Sequence, residues 1–245
     1  MDKITEKIGS FDLLVTTFPG AYFILLLKNL YEFLDDIMSV PQVNSSFLED
    51  IFLVLDFAPC LPRSVFEFVV FSFASFIVGI ILQELSSTIK ERIVYRNGKP
   101  QQLLLEKDGG TLTLPQLTEF TPTFEKFCKN SVLFPEDKNI RMQLSQHIFH
   151  QINATCQKNG TATKYVKLNI ISNMSFSLLL ASIILELFIM IYDIQLLILG
   201  QPIVHTLILL LALVLACCIF YRRGTKYNVF WVRNLIYAYE DSCDI

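Results

Sequence analysis

Four long apolar runs constrain this chain more than any other feature. They are Phe11–Leu27, which continues amphipathically to about Leu34, then Val65–Leu85, Ile171–Tyr192 and Ile203–Tyr221. Each approaches the roughly 20 apolar residues that a helix needs to cross the hydrocarbon of a bilayer. The runs are apolar on all faces, and a chain of 245 residues is too short to bury four such helices in a soluble core. Charged residues make up 18% of the sequence, below the roughly 25% of soluble domains. That blocky distribution excludes a purely soluble single domain. A net charge of only −3 excludes a disordered or nucleic-acid-coating chain.

The charges of the loops predict an orientation. Asp35–Arg63 holds five acids and one base, and Asp193–Pro202 holds no Lys or Arg. Ser87–Leu168 holds twelve bases and seven acids, and the last segment opens with Arg222, Arg223 and Lys226. The positive-inside rule then places both termini and the long loop in the cytoplasm. The polar start, Met1–Ser10, lacks a cleavable signal pattern, so the first run reads as a retained signal-anchor.

The expected fold is mainly α: a four-helix transmembrane protein with a small α+β cytoplasmic module between spans two and three. Residues 1–85 hold spans one and two with an acidic external loop. Residues 86–170 form the module, 171–221 hold spans three and four, and 222–245 form a basic-aromatic tail. Within the module, Asn97-Gly98 marks a turn. The stretch QQLLLEKDGGTLT, Gln101–Thr113, predicts a β-hairpin around Asp108-Gly109-Gly110. Pro115, Pro122 and Pro135 break up the middle. From Glu136 to about Lys158, Ile140, Leu144, Ile148 and Ile152 recur near helical spacing. Asn159-Gly160 ends that helix, and Thr161 begins one that runs into the third span. The external segment Phe47–Pro59 either lies on the membrane surface or re-enters it. Tail residues Tyr227, Phe230, Trp231 and Tyr237 suit either the headgroup level or docking on the cytoplasmic segment.

The candidate functional residues are polar groups in or near the spans. Glu186 lies six residues before Tyr192, roughly 9 Å from the external end at 1.5 Å per residue. Glu67, His205 and Lys28 mark the external ends of the second, fourth and first spans. Ionisable groups in a span are costly and usually face protein or water. Two readings stand for each: a snorkelling or structural ion-pair role, or a place on an ion path. A Lys28 pairing with Glu67 or Glu186 is expected on the first reading. A Glu186 ring shared by several copies is expected on the second. Pro19-Gly20 in the first span predicts a kink or break, as a hinge or as a bent packing helix. Small-residue pairs four apart, Ser75/Gly79, Ser177/Ala181 and Ala212/Ala216, predict close helix contacts.

Lys90, Arg92, Arg96, Lys99 and Lys107 form a basic stretch after span two, suited to anionic lipid headgroups or to an anionic ligand such as a nucleotide messenger. Cys217 and Cys218, adjacent in an apolar run, read as small hydrophobes. No phosphate-binding GxxxxGK[ST], dinucleotide-binding GxGxxG, HExxH or GxSxG pattern is present, so neither an enzyme nor a cofactor or metal is expected.

Several segments share a family look: FPGAYFILLL, VGIILQELSS, KYVKLNIISNMSFSLLL and RRGTKYNVFWVRNLIYAY. With them the chain resembles small bacterial multi-pass membrane proteins, some of which are membrane effectors in anti-phage defence operons. The resemblance implies activation by a sensor protein or nucleotide signal, followed by membrane permeabilisation, and it carries no residue roles. The function expected is an oligomeric, pore-forming or membrane-disrupting effector. A scaffold that recruits a cytoplasmic protein, and an accessory transporter subunit, are the alternatives.

Overall fold

A computed structural model describes residues 2–37, 65–128, 132–198, 200 and 203–243. Among the described residues six α-helices follow in chain order: α1, Asp2–Ile37; α2, Val65–Ile89; α3, Leu114–Glu125; α4, Lys138–Lys158; α5, Thr163–Ile198; and α6, Val204–Cys243. A π-helical turn, Lys90–Val94, continues α2, and a 3-10 turn spans Pro100–Gln102. Four of the helices are long and apolar enough to cross a bilayer, through windows at Leu13–Leu30, Phe68–Val94, Tyr165–Ile198 and Thr206–Ser242. This is the architecture of a multi-pass integral membrane protein. The expected surface segment Phe47–Pro59 lies outside the described residues.

The chain divides into two compact units, one drawn from Met1–Ser87 and Asn173–Arg222, the other from Thr88–Ser172 and Arg223–Ile245. In the first unit α1, α2, α5 and α6 pack through leucine and isoleucine clusters, such as Leu27, Leu30, Leu185, Ile189 and Leu213. Large apolar side chains elsewhere on these helices stay exposed, including Phe68, Phe73 and Ile81 of α2 and Leu211 and Leu215 of α6. Exposed apolar surface on this scale suits hydrocarbon rather than water.

The α1–α2 crossing is unusually close. A Cβ built on Gly20 would meet the Ser75 carbonyl oxygen at 1.8 Å, and one on Gly79 would meet the Thr16 carbonyl oxygen at 1.8 Å. Thr16 and Gly20, four apart on α1, thus face Ser75 and Gly79, four apart on α2, backbone against backbone. Such approaches suit Cα–H···O contacts. Thr16 Oγ1 donates to Gln83 Oε1 at 3.2 Å along the same seam. α1 runs unbroken through Pro19, so Pro19-Gly20 is no break. Gly20 is where the second helix touches.

The second unit consists of helices and turns, with no strand among its described residues, and the expected α+β module is corrected accordingly. Gln101–Thr113 forms turns, closed by Thr111 N donating to Leu103 O at 3.0 Å. Leu104 and Leu105 are both fully buried. A strand would turn adjacent side chains to opposite faces, so that pair fits a turn folded over a core and not a two-faced hairpin. Of the prolines expected to break up the middle, Pro135 stands in the non-helical stretch between α3 and α4, whereas Pro115 and Pro122 lie within α3. Pro115 occupies the first turn of α3, where its missing N–H costs nothing. Thr113 caps that helix in a reciprocal box with Gln116, whose Oε1 accepts from Thr113 N at 3.0 Å. Asp137 caps α4 by accepting from Asn139 N at 2.7 Å. Gly98 and Gly160 adopt positive φ, at the turn before the 3-10 segment and just past α4.

The core of this unit joins Leu104, Phe120, Phe124, Ile148 and Ile152 to Val232, Leu235, Ile236 and Tyr239 of α6. The tail therefore docks. Tyr237 stacks edge-on against Phe120 at 4.8 Å and its hydroxyl accepts from Gln116 Nε2 at 3.1 Å. Trp231 meets Phe149 at 5.2 Å. Arg233 Nε donates to Thr111 O at 2.6 Å, tying the turn segment to the same helix.

Candidate functional site

Four polar residues of the first unit gather where α1, α5 and α6 meet. On α5, Ser182 and Glu186 are one helical turn apart and share a face. Glu186 Oε1 accepts from the Cys217 thiol of α6 at 3.2 Å. Ser182 Oγ lies 3.0 Å from the Tyr22 hydroxyl of α1 and donates to Leu178 O at 3.0 Å. That donation uses the single Ser182 proton, so the Tyr22 hydroxyl is the donor to Ser182. The Tyr22 ring stands edge-on to Phe220 at 6.0 Å. A Tyr22–Ser182 hydroxyl pair and a Cys217–Glu186 thiol–carboxyl pair thus lie one turn apart along α5, as one polar cluster among apolar walls. A low-dielectric setting strengthens such bonds.

The cluster differs from the pairing expected of Glu186. Its partner is Cys217, and among the described residues no cation pairs with it. Lys28 is half-buried on α1. Glu67 lies in the first turn of α2 and His205 in the first turn of α6. The contacts of those two side chains lie outside the described part of the structure.

The basic stretch does not converge on one pocket. Lys99 Nζ pairs with Glu91 Oε1 at 2.5 Å. Lys107 sits over the Phe134 ring, 5.5 Å from its centre. Arg92 and Arg96 are exposed and Lys90 is half-buried. A further cationic strip appears on α6, where Arg223 covers Tyr227 at 5.6 Å and Lys226 covers Phe230 at 5.3 Å. In the second unit, Arg141 grips Glu106 in two-pronged fashion, at 3.1 and 3.0 Å, and donates through Nη1 to Pro135 O at 2.9 Å. This fork pins the turn segment to α4.

The sequence reading missed Tyr22, Ser182 and Cys217. One signal was present: a serine four residues before an intramembrane glutamate puts both on one helix face. Nothing in the spacing marked Tyr22 or Cys217, because contacts between helices distant in sequence leave no local pattern. No family model, curated protein or solved structure matches this chain.

Proposed function

We propose that the chain is an oligomeric integral membrane effector that permeabilises the membrane when its helical module is triggered. The observation that supports this reading is the continuity of α6. One helix, Val204–Cys243, supplies both a spanning window and four buried residues of the module core. In this reading, a change around Val232, Leu235, Ile236 and Tyr239 is passed along the same helix to the span that carries Cys217. The module faces the cytoplasm in this reading, in the bacterial cytoplasmic membrane, and takes its trigger from a sensor protein or an anionic nucleotide. Membrane lipids and further copies of the chain complete the assembly. A role in anti-phage defence follows from the family look of the sequence.

The test is membrane potential in cells expressing the protein. Wild type should depolarise them. Replacing Arg222 and Arg223 by two glycines should uncouple the module and abolish depolarisation while leaving insertion intact. Glu186→Gln should change ion selectivity or flux. Full membrane potential in wild-type cells, under all triggers tried, would remove the effector reading. An accessory transporter subunit predicts the same outcome with flux restored only by a partner. The scaffold reading has its own support in an apolar groove of about 400 Å³ on the module, lined by Val132, Pro135, Ile140, Gln143, Leu144 and His147. Stable co-purification of a soluble partner without ion flux would favour it.

A further inference from the structure

An apolar crevice of about 430 Å³ opens in the first unit. Its walls include Leu26 of α1, Leu185 and Ile189 of α5, and Ile208, Ala212 and Leu213 of α6. These walls lie next to the polar cluster in register. Leu26 follows Tyr22 by four residues, Ile189 follows Glu186 by three, and Leu213 precedes Cys217 by four. Residues three or four apart share a helix face. On all three helices the crevice is therefore followed, one turn along, by a member of the cluster.

The second observation concerns charge. Glu186 has the Cys217 thiol as its partner and no cation among the described residues. An ionised carboxyl group at bilayer depth is costly without one. A site with apolar walls and one acidic group a helical turn away has a definite chemical preference. Pockets of this volume hold small organic molecules. A strongly hydrated inorganic cation gains nothing from leucine walls.

The geometry points to a binding site for an amphiphilic organic cation, a lipophilic amine or quaternary onium ion. Its apolar body fills the crevice and its charge meets Glu186. Tyr22 and Ser182 hold the carboxyl-bearing face of α5 in place. This inference rests on the transmembrane unit alone and is independent of the effector reading.

Full-length protein in nanodiscs of zwitterionic lipid provides the test, by equilibrium dialysis against empty discs. The probes are tetraphenylphosphonium and its anionic isostere tetraphenylborate. Tetraphenylphosphonium should bind saturably, at one site per chain, and tetraphenylborate should not. Glu186→Gln should weaken binding at least tenfold, and Ala212→Phe, which fills the crevice, should do the same. Size-exclusion profile and helical circular dichroism report whether each variant is folded. Unchanged binding in folded E186Q would overturn the charge recognition, and unchanged binding in folded A212F would overturn the crevice. Equal saturable binding of both probes to wild type, or none of tetraphenylphosphonium, would overturn the proposal without any variant.

Discussion

Gly20→Ala tests the α1–α2 seam most directly. The added methyl carbon would lie 1.8 Å from the Ser75 carbonyl oxygen and 2.7 Å from Gly79 N, where ordinary contact begins at 3.4 Å. Both obstacles are backbone atoms in helices and cannot rotate aside. Restoring contact distance requires the helices to part by about 1.6 Å, the gap between 1.8 and 3.4 Å. A gap of only 0.5–1 Å already forfeits roughly a quarter to a half of each dispersion well. Overpacking costs about 1–3 kcal/mol, and the rigid obstacles put this site at the upper end. Losing the Thr16–Gln83 bond adds about 0.6 kcal/mol, the average for such bonds in a membrane. Alanine's better helix propensity returns about 0.5–1 kcal/mol. The net loss is then about 2–3 kcal/mol. Reversible SDS titration in mixed micelles would measure it. Ile81→Ala, on the exposed face of α2, should stay within about 0.5 kcal/mol. Gly79→Ala relieves its clash by the same separation, so the double variant should cost less than the sum. A Gly20→Ala loss below about 0.5 kcal/mol would refute the close crossing.

Three further outcomes follow from the module. Ile152→Ala, at a fully buried core position, should cost about 2–4 kcal/mol by denaturant titration of the module's near-UV signal. Arg141→Met should cost about 2 kcal/mol, because it strands the half-buried Glu106 carboxyl group. Adding Glu106→Leu should recover part of that loss. Cys128 is buried, and burial, with Glu125 adding to it, pushes its thiol above the usual range. A raised value leaves less of the reactive thiolate at any pH below it. Iodoacetamide at pH 8 should therefore modify Cys128 at least tenfold more slowly in the native protein than in the unfolded chain, as read by peptide mass spectrometry.

The spans were legible because a bilayer demands an uninterrupted apolar run, and such a run is a local property. The docking of the tail was half legible. Val232, Leu235, Ile236 and Tyr239 recur at three- and four-residue steps, which is a buried helical stripe. The aromatic content alone fitted the headgroup level equally well. α4 illustrates a finer error. Ile140, Leu144, Ile148 and Ile152 are spaced by fours, and each step of four drifts about 40° around a helix. Ile148 and Ile152 are fully buried, while Ile140 at the other end of the series is 54% exposed. The missed α3 was announced by Thr113 and Gln116, a capping box followed by proline at the first turn. The prolines were weighed as breakers, although position within a helix decides their effect. In the candidate site, Glu186 was identifiable as a charge within a span. Its thiol partner lies thirty-one residues away on another helix, and no local period reaches that far.

The contribution of α6 to the module core has a consequence for biosynthesis. Translation delivers the residues through Ser172 first, then the 50 residues Asn173–Arg222 of the spans, and only then Val232, Leu235, Ile236 and Tyr239. At about 5–20 residues per second, the module waits several seconds for its last wall. During that interval Phe120, Phe124, Ile148 and Ile152 lack the partners that bury them. The module can close only after α6 has been made, so its folding reports the synthesis of that helix. A chain truncated before Val232 would arrive in the membrane with its spans made and its module open.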